Sequence, residues 1–471
     1  MKLGLQIFGM LIIAALLILL TAMRPGYVTN VNYLSGILLF ELILVSVWHY
    51  EKWFFAILML TFLLAGSTLP LAGAAMAARW VFLGVGVLVG VIKWGARGEK
   101  HGFSAIHIVA LLCVISALVS AMDSTRTQFS LLKTSSLLLL FLYASFGARV
   151  AVANRAAEFF RGLVMACEAL SLISGFLYVG LGYPLFGNPN SLGAIMGVAV
   201  IPVLLWSFLI SEDRQVRHRR AAALCLAGYL LTSSGSRAGL LAVAVTLTVT
   251  CVALRRTDLL LKGSFVLVFL ITAVGVLRPT RFDSLVSSFT EQLIYKGKMD
   301  QGLFGSRTTP WQETVAVIKE SPWFGSGFGT DRVRGQAPES VFRTIEGANR
   351  EHGSSYMALL QYVGLLGAVP FVIMLLLILS RIVRTCLWMR RTGDAHNYAV
   401  PLAMLCLAGM LHAVFEDWLI SPGYYLTLLF WSSAFLLSDY APRQTEEVPF
   451  AGNVVYRPAA SDSPIAAFAG K

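Results

Sequence analysis

The sequence predicts an all-α, polytopic membrane protein of about 12 to 14 transmembrane helices, with one large, partly helical external loop. Three observations carry this. Of 471 residues, 57% are hydrophobic and 13% charged, where soluble globular domains carry roughly 25% charged residues. Mean hydropathy is +0.73, too high for a water-soluble sphere or a disordered chain. Apolar runs near the roughly 20 residues needed to cross a bilayer recur along the chain, with basic clusters in alternate connections. The net charge of +12 therefore reads as basic cytoplasmic loops and not as a nucleic-acid surface.

Taken in order, spans are expected near residues 5–23, 31–48, 54–70, 76–92, 103–122, 131–148, 161–181, 191–210, 220–234, 238–254, 261–277, 355–380, 398–415 and 421–438. The first, Leu5 to Met23, reads as a retained signal anchor because no small-residue cleavage site follows it. Basic connections fall at Lys93 to Lys100, Arg149 to Arg161, Arg214 to Arg220, Arg255 to Lys262 and Arg381 to Arg391. The positive-inside rule puts these in the cytoplasm, with both termini. The six cysteines lie in apolar stretches without CxxC spacing and read as small buried hydrophobes. The chain divides into an N-terminal bundle (1–277), an external segment (278–353), C-terminal helices (354–440) and a tail (441–471) expected to be disordered.

The external segment is too long for a plain connector, and such loops are usually functional. Leu285, Phe289 and Leu293 recur at helical spacing, as do Trp311, Val315 and Ile318. Thr309, Pro310 and Gln312 read as N-cap, first helical residue and capping box of the second helix, which stops at Ser321-Pro322. A glycine-rich run with interleaved aromatics follows, to Gly329.

Candidate chemistry sits at the outer end. Ser236 is a good N-cap, so Arg237 stands in the first turn of the next helix, where free N–H groups and a guanidinium fork suit a phosphate. Arg307 precedes the capped helix. Arg278 and Arg281 mark the exit from the bilayer and are weaker phosphate candidates, interfacial anchoring being the simpler reading. His352, just before a long apolar helix, is the candidate general base, with Glu351 or Tyr356 to orient it. Glu416 and Asp417 lie at the outer mouth where these groups should converge, and Asn190 is a further supporting candidate. Glu41 and Lys133 read as a structural ion pair. Motifs for a metal–sugar-nucleotide complex, a P-loop, a dinucleotide or a zinc protease are missing, so neither a metal nor a cofactor is expected. The energy for external chemistry must then arrive on a lipid-linked donor.

Several segments together resemble the bacterial O-antigen ligase and Wzy-type polysaccharide polymerase family. They are Phe186-Gly-Asn-Pro-Asn-Ser-Leu-Gly193, Ser236-Arg237-Ala-Gly239, Arg307-x-x-x-Trp311, Glu320-Ser-Pro-Trp-Phe-Gly-Ser-Gly-Phe-Gly329 and His352-x-x-Ser-Tyr356 leading into Leu365-Leu-Gly367. The set covers roughly residues 185–370; the family often has Asn where this chain has Gly353.

The resemblance implies a GT-C-like fold in the bacterial inner membrane with a periplasmic active site. It implies metal-independent, inverting transfer of a glycan from undecaprenyl diphosphate to a hydroxyl of a lipid A-core or of another glycan, in lipopolysaccharide or exopolysaccharide biosynthesis. Arg237 and Arg307 would hold the diphosphate and His352 would activate the acceptor. Expected partners are the bilayer, the lipid-linked donor and the acceptor, with a flippase and a chain-length regulator nearby. The alternative is a polysaccharide-lipid flippase or another transporter, which would depend on its intramembrane charges and tolerate loss of His352.

Overall fold

A computed structural model describes residues 42–49, 51–97, 103–265, 305–330 and 352–442. These residues are helical, with one isolated bridge between Ser67 and Phe186. The helices are α1 (Glu51–Ala65), α2 (Ala72–Arg97), α3 (Ala105–Met122), α4 (Thr127–Val152), α5 (Ala156–Gly180), α6 (Pro189–Ile210) and α7 (Arg214–Ser233). After them come α8 (Arg237–Ala253), α9 (Gly305–Glu320), α10 (Ser355–Thr392), α11 (Ala399–His412) and α12 (Tyr425–Tyr440). Six of them, α2 to α6 and α10, are long and apolar enough to cross a membrane, and α8 and α11 are shorter apolar helices. The chain is a multi-pass membrane protein. The expected spans at 5–23 and 261–277 lie wholly or largely outside the described residues, as do the helix around Leu285 and the tail.

Alternation of the two ends survives in three dimensions. At one end Glu51 pairs with Lys93 and Arg155, and Arg149 pairs with Asp439. At the other, Thr68 bonds the backbone at Pro184 and Leu185, and the starts of α6, α8, α10 and α12 gather. The basic run from Arg381 to Arg391 is not a loop, however, but the last turns of α10. Arg214 to Arg220 likewise begin α7, where Arg219 and Arg220 both reach Glu168. A helix satisfies its own backbone, so it runs on past the hydrocarbon until a stop signal, here Gly393 in the left-handed conformation.

The interior is built on α6, of which 89% is buried in the segment that spans, against 28% for the lipid-facing α5. Lipid is as apolar as leucine, so helices associate through close packing, and small residues mark the contacts. A Cβ added at Gly193 would lie 2.3 Å from both Ser234 Oγ and Ser236 Cβ, and one at Gly197 would lie 2.9 Å from the Gly239 backbone. This crossing brings the start of α6, with Asn190, against the start of α8, with Arg237. Five of the six cysteines are buried or half-buried; Cys225, on α7, is exposed, since that face of α7 packs on nothing described.

Helix α10 is broken at Gly364, whose φ of 69° and ψ of −177° are far from helical. Unpaired backbone groups are costly at membrane depth and persist only where other protein groups satisfy them. The glycine-rich run supplies those groups. Leu365 and Leu366 donate to the carbonyls of Pro322 and Trp323, while Ser326 and Gly327 donate to those of Gln361 and Tyr362. Ser116 and Ser120 of α3 donate to Gly367 and Tyr362, and Ser130 of α4 donates to Phe328. Residues 322–330 thus form a hook locked into the broken helix, which ties α9 to the first half of α10.

Candidate active site

The site is assembled around the connection from Ala413 to Tyr424, between α11 and α12. The start of α10 is stitched to this connection: Ser355 donates from its backbone to Ala413 and Glu416 carbonyls and from Oγ to the Glu416 carbonyl, while its Oγ accepts from Leu419 N–H. Trp431 and Thr427 of α12 hold the carbonyls of Leu419 and Trp418 from beneath. Side chains on this connection therefore have little freedom to move.

Asp417 receives two hydrogen bonds from His352 on one oxygen: the backbone N–H at 3.1 Å and Nδ1 at 2.9 Å. Burial pushes the Asp417 carboxyl up, but the hydrogen bonds from the His352 ring and backbone, with its charge, outweigh burial and hold the carboxyl below its ordinary value. An ionised Asp417 can only accept, so Nδ1 is the ring nitrogen that carries a proton towards it. His352 is 1% exposed and packs edge-on against Tyr362, whose carbonyl the hook engages. Neither residue named from the sequence to orient His352 does so among the described contacts. Tyr356 points its hydroxyl at the Met410 carbonyl instead, and Glu351 lies outside the described residues.

Arg307 is paired with Glu416, the neighbour of Asp417, and is 8% exposed. The helix carrying it already includes Gly305, so Thr309 is not its cap and Pro310 lies inside α9. The Thr-Pro signal is local, whereas docking of Arg307, Trp311 and Thr314 along one helical face decides the boundary. Trp311 Nε1 donates to the Gly353 carbonyl at 3.2 Å, and Thr314 is fully buried. Gly353 has a φ of 69°, and a Cβ there would lie 3.1 Å from Trp311 Nε1 and 3.2 Å from Arg307 Cδ. Gly and Asn are the residues that visit the left-handed region most readily, so the backbone at this position suits the Gly353 found here.

Arg237 opens α8 as the sequence predicts: Ser236 is the N-cap, its Oγ accepting from Gly239 N–H at 3.2 Å. It is half-buried and close enough to Arg307 to feel that charge. Asn190 lies in the first turn of α6, where its N–H bonds Asn188 Oδ1, and Ser191 beside it accepts from Tyr425, which accepts from Tyr424. His352, Arg307, Glu416 and Asp417 are thus in direct contact or one residue apart, with Arg237 near. Arg278 and Arg281 lie outside the described residues. Glu41, expected to form a structural ion pair with Lys133, lies outside the described residues.

Residues 221–372 match the family model described as O-antigen ligase. That stretch is similar to the O-antigen ligase family and covers about a third of the chain. A comparison with curated proteins gives no match. The matched stretch holds Arg237, Arg307 and His352 and ends just past the break in α10, so the ligase domain borrows Glu416 and Asp417 from beyond its own boundary. With the membrane helices, the match makes this a membrane enzyme of the ligase and polymerase type. The sequence reading grouped the two carboxylates as supporting residues and missed which cation each would hold. Their adjacency at the mouth was the available signal.

Proposed function

We propose that the protein transfers a glycan from undecaprenyl diphosphate to an acceptor hydroxyl at the end of the bundle that carries His352, the periplasmic face. The His352–Asp417 pair beside Arg307 is the observation that carries this reading. The acceptor O–H gives its proton to His352 Nε2 as its oxygen attacks the anomeric carbon. The bond from that carbon to the phosphate oxygen breaks, and undecaprenyl diphosphate leaves with the electron pair. Attack opposite the leaving group inverts the anomeric configuration. Asp417 positions the ring and stabilises the imidazolium, the arrangement seen wherever a carboxylate orients a catalytic histidine.

Arg237 and Arg307 supply positive charge where the leaving diphosphate gathers negative charge, in a partly desolvated site where such interactions are strong. Glu416 fixes the Arg307 fork in place. No residue here is assigned to a metal; the arginines do the electrostatic work.

The test is glycan transfer by full-length protein in proteoliposomes supplied with undecaprenyl diphosphate-linked glycan and acceptor. His352→Ala should abolish product while the protein is still expressed, inserted in the membrane and cooperatively folded. A variant that still makes product, or one that loses only movement of the lipid-linked glycan between leaflets, would overturn the assignment in favour of a transporter. Product analysis with a lipid A-core and with a second lipid-linked repeat as competing acceptors distinguishes ligation from polymerisation.

A further inference from the structure

The glycine-rich run from Gly325 to Gly329 takes no part in the chemistry above, yet a helix is broken to receive it. In an unbroken helix the Gln361 and Tyr362 carbonyls would accept from Leu365 and Leu366, four residues on. Here the hook takes both sides of those two bonds. Ser326 and Gly327 N–H reach the Gln361 and Tyr362 carbonyls at 2.8 and 3.2 Å, and Leu365 and Leu366 N–H reach Pro322 and Trp323 at 2.7 and 3.2 Å. The exchange draws Phe328 into the protein: its side chain is 1% exposed and its carbonyl accepts from Ser130 Oγ at 2.8 Å. The flanking Gly327 and Gly329 have φ of 107° and 69°, and a Cβ on Gly327 would fall 2.2 Å from Ser124 Oγ, so glycine is what lets the chain seat Phe328. The Phe328 ring meets the half-buried Tyr362 ring edge-on, with centroids 6.0 Å apart.

Tyr362 in turn packs against His352, with centroids 5.2 Å apart and ring planes at 77°. The imidazole is thus held by two contacts that do different things. The bond from Nδ1 to Asp417, at 2.9 Å, anchors one ring atom. The torsion that turns a histidine ring is broad, so an anchor at one atom leaves the ring plane free to tilt. An aromatic neighbour packed edge-on removes that freedom, because such pairs favour a definite interplanar angle. With Nδ1 anchored and the plane set, the direction of Nε2 is set as well. We propose that Tyr362, backed by Phe328 of the hook, is a positioning residue that fixes the plane of the His352 ring and so aims Nε2 at the acceptor. This role rests on the reading of His352 as the acceptor base. It also ties the external segment to the chemistry twice, since α9 carries Arg307 near its start and the hook after its end.

Two readouts on the full-length protein test this: histidine-selective NMR, which sees the ring directly, and transfer kinetics. The His352 signal is the one lost in His352→Ala. Tyr362→Leu removes the aromatic ring and keeps an apolar side chain. It should broaden or split the His352 ring signal, leave those of the other histidines in place and lower kcat about 2- to 10-fold, the worth of an aromatic pair. KM for donor and acceptor should stay as in the native protein. Phe328→Leu should act in the same direction, and the two substitutions together should cost less than the product of their separate effects. Tyr362→Phe keeps the ring and should keep the single signal and a kcat above that of the Leu variant. A native ring signal with native kcat in Tyr362→Leu, or a Phe variant as impaired as the Leu one, would overturn the proposal. Displacement of every histidine signal in Tyr362→Leu and Phe328→Leu alike would also sink it, by showing a general structural role. Product made by His352→Ala removes the base and with it the aim of Nε2, while the ring signal still responds to Tyr362→Leu, so the two failures are told apart.

Discussion

Replacing Asp417 by Asn keeps the shape of the carboxylate and removes its charge. In the structure one oxygen accepts from both His352 N–H and Nδ1, at 3.1 and 2.9 Å. The Asn carbonyl oxygen can take over those two bonds, so the ring should stay in place. What is lost is the charge that stabilises the imidazolium as the acceptor proton arrives. A hydrogen bond to a charged group contributes about 1.5 to 3 kcal/mol. At 1.36 kcal/mol per factor of ten, this corresponds to a fall in kcat of about 10- to 10²-fold. KM for donor and acceptor should hardly move, because the carboxylate touches neither. The acid limb of the pH–rate profile should move to lower pH, since the imidazolium loses its partner. The assay is steady-state transfer in proteoliposomes across a pH series, with thermal melting to show the fold is intact. An Asn variant with wild-type kcat and an unmoved acid limb would refute the role assigned to Asp417, whatever His352→Ala does.

Other consequences follow from the same geometry. Glu416→Gln should slow turnover about tenfold by loosening Arg307, and a double variant with Arg307→Lys should be less than additive if the two act as a unit; full additivity would separate them. Acid stability checks the electrostatics: the Asp417 carboxyl is depressed, so its interaction stabilises the fold above the ordinary value of 3.8 and is lost only as pH falls through the depressed one. In His352→Ala the ring's hydrogen bond and charge are lost while burial and the backbone hydrogen bonds remain, so acid unfolding followed by melting temperature should begin at higher pH than in the native protein. Gly364→Ala places a Cβ 2.4 Å from the Trp323 backbone at a φ of 69° and ψ of −177°; that essentially glycine-only backbone alone costs about 1 to 3 kcal/mol, so melting temperature should fall and the hook should become accessible to protease. Unchanged proteolysis would mean the hook does not depend on the break. Finally, a cysteine at Ser421 should react with an impermeant thiol reagent from outside the cell and one at Arg390 should not, in a background without native cysteines.

Much of the architecture was legible because bilayer physics writes itself into composition. Span positions such as Ala105 to Met122 follow from apolar runs, and basic clusters mark one end of the bundle. The cap at Ser236 was readable too, since its bond to Gly239 is a local matter of three residues. The start of α9 was not, because Thr309-Pro310 offers a good local cap and only the docking of Arg307 and Trp311 overrides it. The partner of His352 lies 65 positions away, on a connection whose path depends on how α11 and α12 pack. Periodicity cannot report such a pairing.

By itself, then, the sequence determined that this is a multi-pass membrane protein, which of its ends is basic, and which cationic and imidazole groups gather at the other. It carried the ligase resemblance in short segments that keep their order. Tertiary structure alone decided the pairings: Asp417 with His352, Glu416 with Arg307, and the hook with the break at Gly364. The physical reason is common to all three. A charge or an open backbone group at the membrane surface must be satisfied, and its partner is whatever the packing of distant helices brings within hydrogen-bonding distance.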